Sequence, residues 1–244
     1  MENHKPIKEI SGKVILITGA NRGIGKALVE EALRKGAKRV YAGARGHFSH
    51  PDNRVVPLIL DITKPEQISQ AVEKVSELDI LINNAGISLY DDLSDRAKIE
   101  QQLAVNFYGP YDMIQAFLPL LLRSKGTIVN NISLLALAPL APIASYCISK
   151  AATFSMTQSL RAFLSTQGVT VQAVLTGPID TEMTRDINLP KSSPESAAEG
   201  IFNGIEQGKD EIFPDALSTM MAESWYSSGA KSMERQNAAF VTAQ

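Results

Sequence analysis

Tyr146 and Lys150 are the pair of side chains best suited to chemistry in this chain of 244 residues. Their spacing places a phenol and an amine on one face of a helix. An ammonium about 4 Å from the phenol would favour the phenolate by at most ~4 kcal/mol at an effective dielectric constant of about 20. Such an effect lowers the pKa of the phenol by up to about three units. We therefore expect Tyr146 to exchange protons near neutral pH.

A strand-end hydroxyl accompanies this pair. Ser133 follows an apolar run at 127–132 and precedes Tyr146 by thirteen residues. A hydroxyl in that position can donate a hydrogen bond to the oxygen that the phenol protonates. A Tyr–Lys pair of this spacing arises by chance in many helices, so the assignment depends on the preceding Ser133.

A glycine-rich turn lies at 18–25, with the sequence Thr-Gly-Ala-Asn-Arg-Gly-Ile-Gly between a predicted strand and a predicted helix. Gly19 would permit a tight turn, Gly23 a close approach of the backbone to a pyrophosphate, and Gly25 close packing of helix on strand. The helix N-terminus would supply N–H donors to the phosphates. The spacing GxxxGxG differs from the commoner GxGxxG, so a purely structural glycine turn remains an alternative.

The charges after this turn favour NADP over NAD. An acidic residue about 20 positions past the glycines usually binds the ribose 2′-hydroxyl of NAD, and residues 32–51 contain no acid. Arg45 instead ends the second predicted strand, and Arg22 lies in the turn. Two guanidinium groups there could bind a 2′-phosphate in forked geometry. The alternative is two solvated surface arginines.

Apolar runs of strand length alternate with segments of helical period along the chain. The strands are expected at 14–18, 39–44, 55–60, 79–83, 127–132, 169–175 and 211–213. The helices are expected at 24–35, 67–77, 97–122 in at least two pieces interrupted near Gly109, and 145–166. This alternation predicts an α/β fold: a Rossmann-like, doubly wound parallel sheet of about seven strands in three α/β/α layers. The connection 46–54 is too short for a crossover helix.

Polar or glycine clusters follow six of these strands at their carboxyl ends, where doubly wound sheets bind ligands. They begin at Thr18, Arg45, Asp61, Asn83, Ser133 and Gly177. Six clusters on one edge are typical of a dinucleotide site.

Length suits one larger α/β domain or two small ones, and composition favours a soluble intracellular protein. The net charge of −2 implies no general attraction to nucleic acid or anionic membranes. One cysteine, Cys147, fits a reducing compartment, and neither a signal peptide nor a membrane span is expected. We expect a flexible lead-in at 1–11 and a single domain at 12–244. Within this domain we expect a substrate loop at about 180–197 and a helical tail at about 215–240. We also expect a cytoplasmic location. The tail is expected as one helix through 222–235, packed on a partner subunit or near the substrate mouth. No Cys/His spacing suggests a metal site.

From about Ser11 to Phe213 the chain resembles the short-chain dehydrogenase/reductase family. The motifs that carry this resemblance are the glycine turn at 18–25, Asn-Asn-Ala-Gly at 83–86, Asn106, Ser133, Tyr146 with Lys150, and Gly-Pro-Ile-Asp-Thr at 177–181. The resemblance implies an oxidoreductase that moves a hydride between NADP(H) and a carbonyl or alcohol carbon.

The family pattern also implies individual roles. Tyr146 would be the general acid/base, and Lys150 would lower its pKa and hold the nicotinamide ribose. Ser133 would polarise the substrate carbonyl. Asn106 would hold a water of a proton relay behind Lys150. Cofactor contacts are expected from Gly19, Asn21, Arg22, Gly23, Ile24, Gly25, Arg45, Asp61, Ile62, Asn83, Ala85, Gly86, Tyr146, Lys150, Pro178, Ile179 and Thr181. Asp61 and Ile62 would border the adenine, and Ile179 would bond the nicotinamide carboxamide through its backbone.

The substrate side rests on fewer residues. Leu135 and Ile143 lie in the apolar stretch between Ser133 and Tyr146, and we expect them to face a hydrophobic ketone. The family pattern implies a homodimer or homotetramer paired through the helices at 97–122 and 145–166. Two alternatives remain: a dinucleotide-binding redox sensor without turnover, and a reductase of 3-oxoacyl carrier thioesters, which would call for a basic docking patch near the mouth.

Overall fold

The computed structural model describes residues 9–242. Seven strands form the sheet: β1 (Val14–Thr18), β2 (Arg39–Ala44), β3 (Val55–Ile59), β4 (Ile80–Asn83), β5 (Thr127–Asn131), β6 (Thr170–Val174) and β7 (Glu211–Ile212). The α-helices are α1 (Gly23–Arg34), α2 (Pro65–Lys74), α3 (Arg96–Leu103), α4 (Gly109–Ser124), α5 (Ala144–Ser165), α6 (Pro194–Glu206), α7 (Ala216–Tyr226) and α8 (Gly229–Thr242). Their order confirms the predicted α/β alternation.

All seven strands are parallel, in the order β3-β2-β1-β4-β5-β6-β7. The strand order reverses between β1 and β4, which is the switch point at which doubly wound sheets open a crevice. Helices α1 and α6 pack on one face, and α2 and α4 with the end of α5 pack on the other. The central strands are buried on both faces, which explains their continuous apolar sequences. The Rossmann-like, three-layer fold is confirmed.

Several boundaries differ from the sequence-based expectation. The interruption expected near Gly109 is a π-helix just before it, Ala104–Tyr108, so the backbone from Arg96 to Ser124 bulges without breaking. Helix α6 begins at Pro194, which shortens the predicted substrate loop. The connection 46–54 has no helix, as expected.

Both ends of the domain also differ. Ile10 is fully buried in the core, and its N–H donates to Glu206 Oε1 at 3.2 Å. The body therefore begins at Ile10 rather than at residue 12, and residues 1–8 of the expected lead-in lie outside the described range. The tail contains two helices, α7 and α8, where one was expected. Within the described range no helix has the length and apolarity that crossing a membrane requires.

Candidate active site

The glycine turn between β1 and α1 has the shape of a phosphate cradle. Gly19 and Gly23 adopt positive φ angles of 66° and 52°. A Cβ on Gly25 would overlap the carbonyl oxygen of Gly19 and lie 2.7 Å from Asn84 Nδ2. Arg22 caps α1 without a side-chain hydrogen bond, and the first turn holds no acid. The N-terminus of α1 therefore presents its N–H groups and positive dipole end to an anion, so the turn fits a dinucleotide pyrophosphate.

Asn84 and Thr18 hold this turn in place, a role that sequence reasoning assigned to neither. Asn84 Nδ2 donates to the carbonyl of Thr18 at 3.0 Å, and Thr18 Oγ1 accepts the N–H groups of Asn84 and Ala85 at 3.0 Å. The side chain of Asn83 points elsewhere: it is buried and donates to Asn130 at 2.9 Å. Ala85 lies beside Gly19, and Gly86 lies beside Asn106 and Lys150. The cofactor contacts of Asn83, Ala85 and Gly86 stay predictions, with only the backbone of Asn83 left to make one.

The predicted adenine side lies at the ends of β2 and β3. Asp61 accepts hydrogen bonds from the N–H and hydroxyl of Thr63. Burial would raise the pKa of Asp61, but these bonds and the nearby Arg45 outweigh it and lower that pKa. The side chain of Ile62 is buried against Gly109, so only its backbone is available to an adenine.

The two arginines differ in their surroundings. Arg45 is exposed at the end of β2, whereas Arg22 forms an ion pair with Glu182 across the crevice. Asn21 is exposed in the same turn, and Ile24 is partly buried. The structure therefore leaves Arg45 open to a 2′-phosphate, while Arg22 would have to exchange its present partner.

Ser133, Tyr146 and Lys150 meet at the carboxyl end of β5. Ser133 is the N-cap of a short 3₁₀-helix, Leu134–Ala136, and its Oγ accepts the N–H of Leu135 at 3.1 Å. Tyr146 and Lys150 lie one turn apart on α5, with Lys150 Nζ 5.7 Å from the centre of the phenol ring. Lys150 Nζ donates to the backbone carbonyl of Asn131 at 2.9 Å. The predicted face shared by phenol and amine is present.

Asn106 lies behind this group, in the π-helix. Its amide forms two 2.9 Å bonds with the backbone of Ile87 and a third, also 2.9 Å, with Ser149 Oγ. Its backbone carbonyl accepts the hydroxyl of Thr153 at 2.7 Å. A Cβ on Gly86 would lie 3.2 Å from Asn106 Oδ1 and 3.6 Å from Lys150 Nζ, so both polar groups border one small space. The predicted relay water stays a prediction.

Burial has the largest effect on the pKa of Tyr146. Burial raises it to about 12, and a hydrogen bond with Ser133 opposes the rise only in part. Burial also lowers the pKa of Lys150 to about 8. The net pKa of Tyr146 is therefore raised in the free protein rather than lowered as expected, because desolvation disfavours the phenolate. The share by which Lys150 lowers the phenol pKa stays a prediction.

The start of α5 is fixed by a polar cluster that the sequence did not reveal. The hydroxyl of Ser145, next to Tyr146, donates to the Asp91 carboxylate and accepts from Gln102 of α3. Burial raises the pKa of Asp91, but the hydrogen bonds from Ser145 outweigh it, so the net pKa is lowered. An ionised Asp91 thus orients the first turn of α5.

The opposite wall follows β6. Ile179 is buried and bridges to Ser192, and Thr181 lies beside Gly23 of the glycine turn. Pro178 is partly exposed beside them, which fits the predicted nicotinamide side. For the substrate side, Leu135 is half-buried and Ile143 only 7% exposed, so Leu135 offers more surface to a ligand. These contacts stay predictions.

Comparisons with known proteins agree with this geometry. A family profile described as short chain dehydrogenase matches residues 13–192. A crystal structure of a short chain dehydrogenase from Burkholderia cenocepacia J2315 in complex with NADP is 38% identical and has a TM-score of 0.84, covering 90% of this chain and 95% of that one.

Curated relatives have several activities. A 3-oxoacyl-[acyl-carrier-protein] reductase of Vibrio cholerae serotype O1 is 32% identical over 192 residues, which are 73% of this chain and 78% of that protein. Estradiol 17-beta-dehydrogenase 2 of Mus musculus is 34% identical over 192 residues, 72% of this chain and 50% of that protein. With its parallel sheet, glycine cradle and Ser–Tyr–Lys group, this chain belongs to the short-chain dehydrogenase family and is an oxidoreductase with a nicotinamide dinucleotide site.

Proposed function

We propose that this chain is an NADPH-dependent carbonyl reductase that converts a ketone or aldehyde to an alcohol, reversibly, with Tyr146 as general acid/base. The observation that carries this proposal is the convergence of Ser133, Tyr146 and Lys150, with Asn106 behind them, on the edge that bears the glycine cradle. A protein that only bound a dinucleotide would not need a complete proton-transfer group.

Each side chain has a distinct task in this mechanism. NADPH, when bound, supplies the hydride. Ser133 donates a hydrogen bond to the carbonyl oxygen, and the phenol of Tyr146 passes its proton to that oxygen as negative charge develops there. Because the pKa of Tyr146 is about 12, the phenol keeps its proton at neutral pH, which suits reduction. The ammonium of Lys150 stabilises the phenolate that remains.

Replacing Tyr146 tests this mechanism. Tyr146→Phe removes the proton donor and leaves the ring, so kcat should fall by about 10² or more while NADPH binding stays measurable by fluorescence. Tyr111→Phe is the matched control, since Tyr111 is exposed on α4, and it should retain wild-type turnover. An active Tyr146→Phe variant would refute the role of the phenol.

The preference for NADPH rests on Arg45 and on the absence of acid at 32–51. The NADP complex of the Burkholderia relative supports it. The ratio of kcat/KM for NADPH and NADH tests the preference directly, and Arg45→Ala should reduce that ratio by about 10-fold or more, because a hydrogen bond to a charged group contributes ~1.5–3 kcal/mol. A wild-type preference for NADH would contradict it.

Two alternatives remain. Similarity to the Vibrio cholerae reductase favours a 3-oxoacyl thioester as substrate, and a redox sensor would bind NADPH without turnover. A panel of ketones, alcohols and a 3-oxoacyl thioester, followed by NADPH absorbance, separates these: thioester-only turnover supports the first, and silence despite tight NADPH binding supports the second. A cytoplasmic location and a homodimeric or homotetrameric assembly complete the proposal, and cell fractionation and light scattering test them.

A further inference from the structure

Helix α7 is attached to the catalytic edge at both ends. At its start, the Asp215 carboxylate caps the helix through the N–H of Ser218 at 3.0 Å and accepts the N–H of Gly177, just past β6, at 2.8 Å. At its end, Trp225 packs against Phe154 of α5 in a tilted arrangement, with ring centres 5.4 Å apart. Trp225 also packs in one apolar cluster with Leu134 and Leu137, which follow Ser133. The helix therefore starts beside Gly177 and ends against the apolar cluster behind Ser133.

Helix α8 is held on β7 and α5 by buried ion pairs, and Trp225 of α7 bonds to the same cluster. The fully buried ammonium of Lys231 lies 2.9 Å from the Glu211 carboxylate and 2.7 Å from that of Glu234. Arg161 of α5 lies 2.8 and 2.5 Å from the same two carboxylates. Trp225 Nε1 adds a bond to Glu211 at 3.1 Å. The tail is thus held on its own chain, which favours the mouth over a partner subunit as the place where it acts.

An apolar stripe on α7 faces outward from this position. Leu217, Met220 and Met221 share one side of the helix at i, i+3 and i+4 spacing, and each is at least 45% exposed. The stripe begins beside the site, because a Cβ on Gly177 would lie 3.3 Å from Leu217 Cβ. Methionine side chains adapt their shape to varied apolar partners.

Other segments anchored at the site also expose apolar side chains. Leu140 bonds through its N–H to the sulfur of Cys147, next to Tyr146. Met183 lies in the 3₁₀-helix Glu182–Thr184, which follows Thr181. The exposed apolar residues of these segments are Tyr90, Leu93, Leu140, Met183 and Leu189. Exposed apolar side chains on several segments anchored at the site favour an apolar ligand.

The charges of these segments indicate whether the apolar ligand is neutral or anionic. Residues 89–98 and residues 180–192 each contain three acidic and two basic residues. Residues 215–226 contain two acidic residues and no basic ones. The stretch 134–143, between Ser133 and Tyr146, has no charge. The eight acids outnumber these four bases and Arg22, which pairs with Glu182, so the charge balance disfavours an anionic substrate or an acidic carrier.

We propose that Leu217 and Met221 of α7 are specificity-determining residues that bind the apolar chain of a free, uncharged ketone. This inference rests on the proposed function and narrows its substrate class, excluding carrier-bound and anionic ketones. It also assigns the C-terminal tail to substrate selection.

Direct binding tests the inference without requiring turnover. Trp225, the single tryptophan of the sequence, lies at the end of α7 and reports ligand binding by fluorescence, with calorimetry as a second measurement. With NADP⁺ present, 2-ketones of increasing chain length should bind wild type about fourfold more tightly per added methylene. Leu217→Ala/Met221→Ala should lose most of this gain and bind the shortest ketone as wild type does.

The controls keep the outcomes distinct. Met233→Ala removes an exposed methionine of α8 and should bind every ketone as wild type does. A long ketone with a terminal carboxylate should bind more weakly than its neutral analogue. Three results would overturn the inference. They are an unchanged dependence on chain length in the double variant, tighter binding of the ketone with the carboxylate, and a change in oligomeric mass without a change in ketone binding. Chain-length-dependent binding without NADPH oxidation by any ketone would instead reject the proposed function alone.

Discussion

The charge of Lys150 should contribute a defined share of the catalytic rate. Its ammonium lies 5.7 Å from the centre of the Tyr146 ring. With this distance to the ring centre taken as the charge separation, and an effective dielectric constant of about 20, one charge stabilises a phenolate by ~3 kcal/mol. Lys150→Met keeps the length and removes the charge, so kcat for ketone reduction should fall by ~10². Stopped-flow measurement of NADPH oxidation at saturating NADPH isolates this effect from weaker cofactor binding.

The pH profile distinguishes charge from shape. The pKa of Lys150 is about 8 and that of Tyr146 about 12. As pH rises through about 8 the lysine loses its charge while the phenol keeps its proton, so kcat/KM for reduction should fall on the alkaline side. Lys150→Arg retains a charge over this range and should remove that fall. A Lys150→Met enzyme with near wild-type kcat, or an alkaline limb that survives in Lys150→Arg, would refute this reasoning.

Two further predictions concern the cofactor turn and the tail. Gly25→Ala should weaken NADPH binding by about tenfold or more, because the added methyl displaces the turn and each ~1.4 kcal/mol is a factor of ten in affinity. A fluorescence titration measures this. Gly46→Ala is the control, since a Cβ there meets nothing within 4 Å. Lys231→Met should lower the free energy of unfolding by about 3 kcal/mol, because buried Glu211 loses a partner. Urea titration measures the free energy of unfolding. Lys38→Met is the control: it removes an exposed ion pair and should leave stability unchanged. Equal stability of the two variants would show that the buried cluster is dispensable.

The sheet and the catalytic group were readable from sequence because both depend on local patterns. Continuous apolar runs indicated strands covered on both faces, and the strand-end position of Ser133 tied it to Tyr146 and Lys150. The break between α7 and α8 also had a local signal, since Ser227-Ser228-Gly229 is a turn sequence.

The remaining features depend on contacts between distant segments. The π-helix around Asn106 is fixed by bonds to Ile87 and Thr153, which no periodicity encodes. The pKa of Tyr146 was predicted with the wrong sign because pairwise reasoning included the amine and not the surrounding burial. The Asp91–Ser145 bond joins residues 54 positions apart, so it too required the fold.

The tail also closes the free side of the last strand. The N–H groups of Ala173 and Leu175 donate to the carbonyls of Asp210 and Ile212. The carbonyl of Glu211 therefore points away from the sheet, where the Tyr226 hydroxyl donates to it. Unpaired edge groups are templates for the addition of strands from other molecules. A chain truncated before Ala216 would expose this template, and we expect it to aggregate during expression even if its catalytic residues fold correctly.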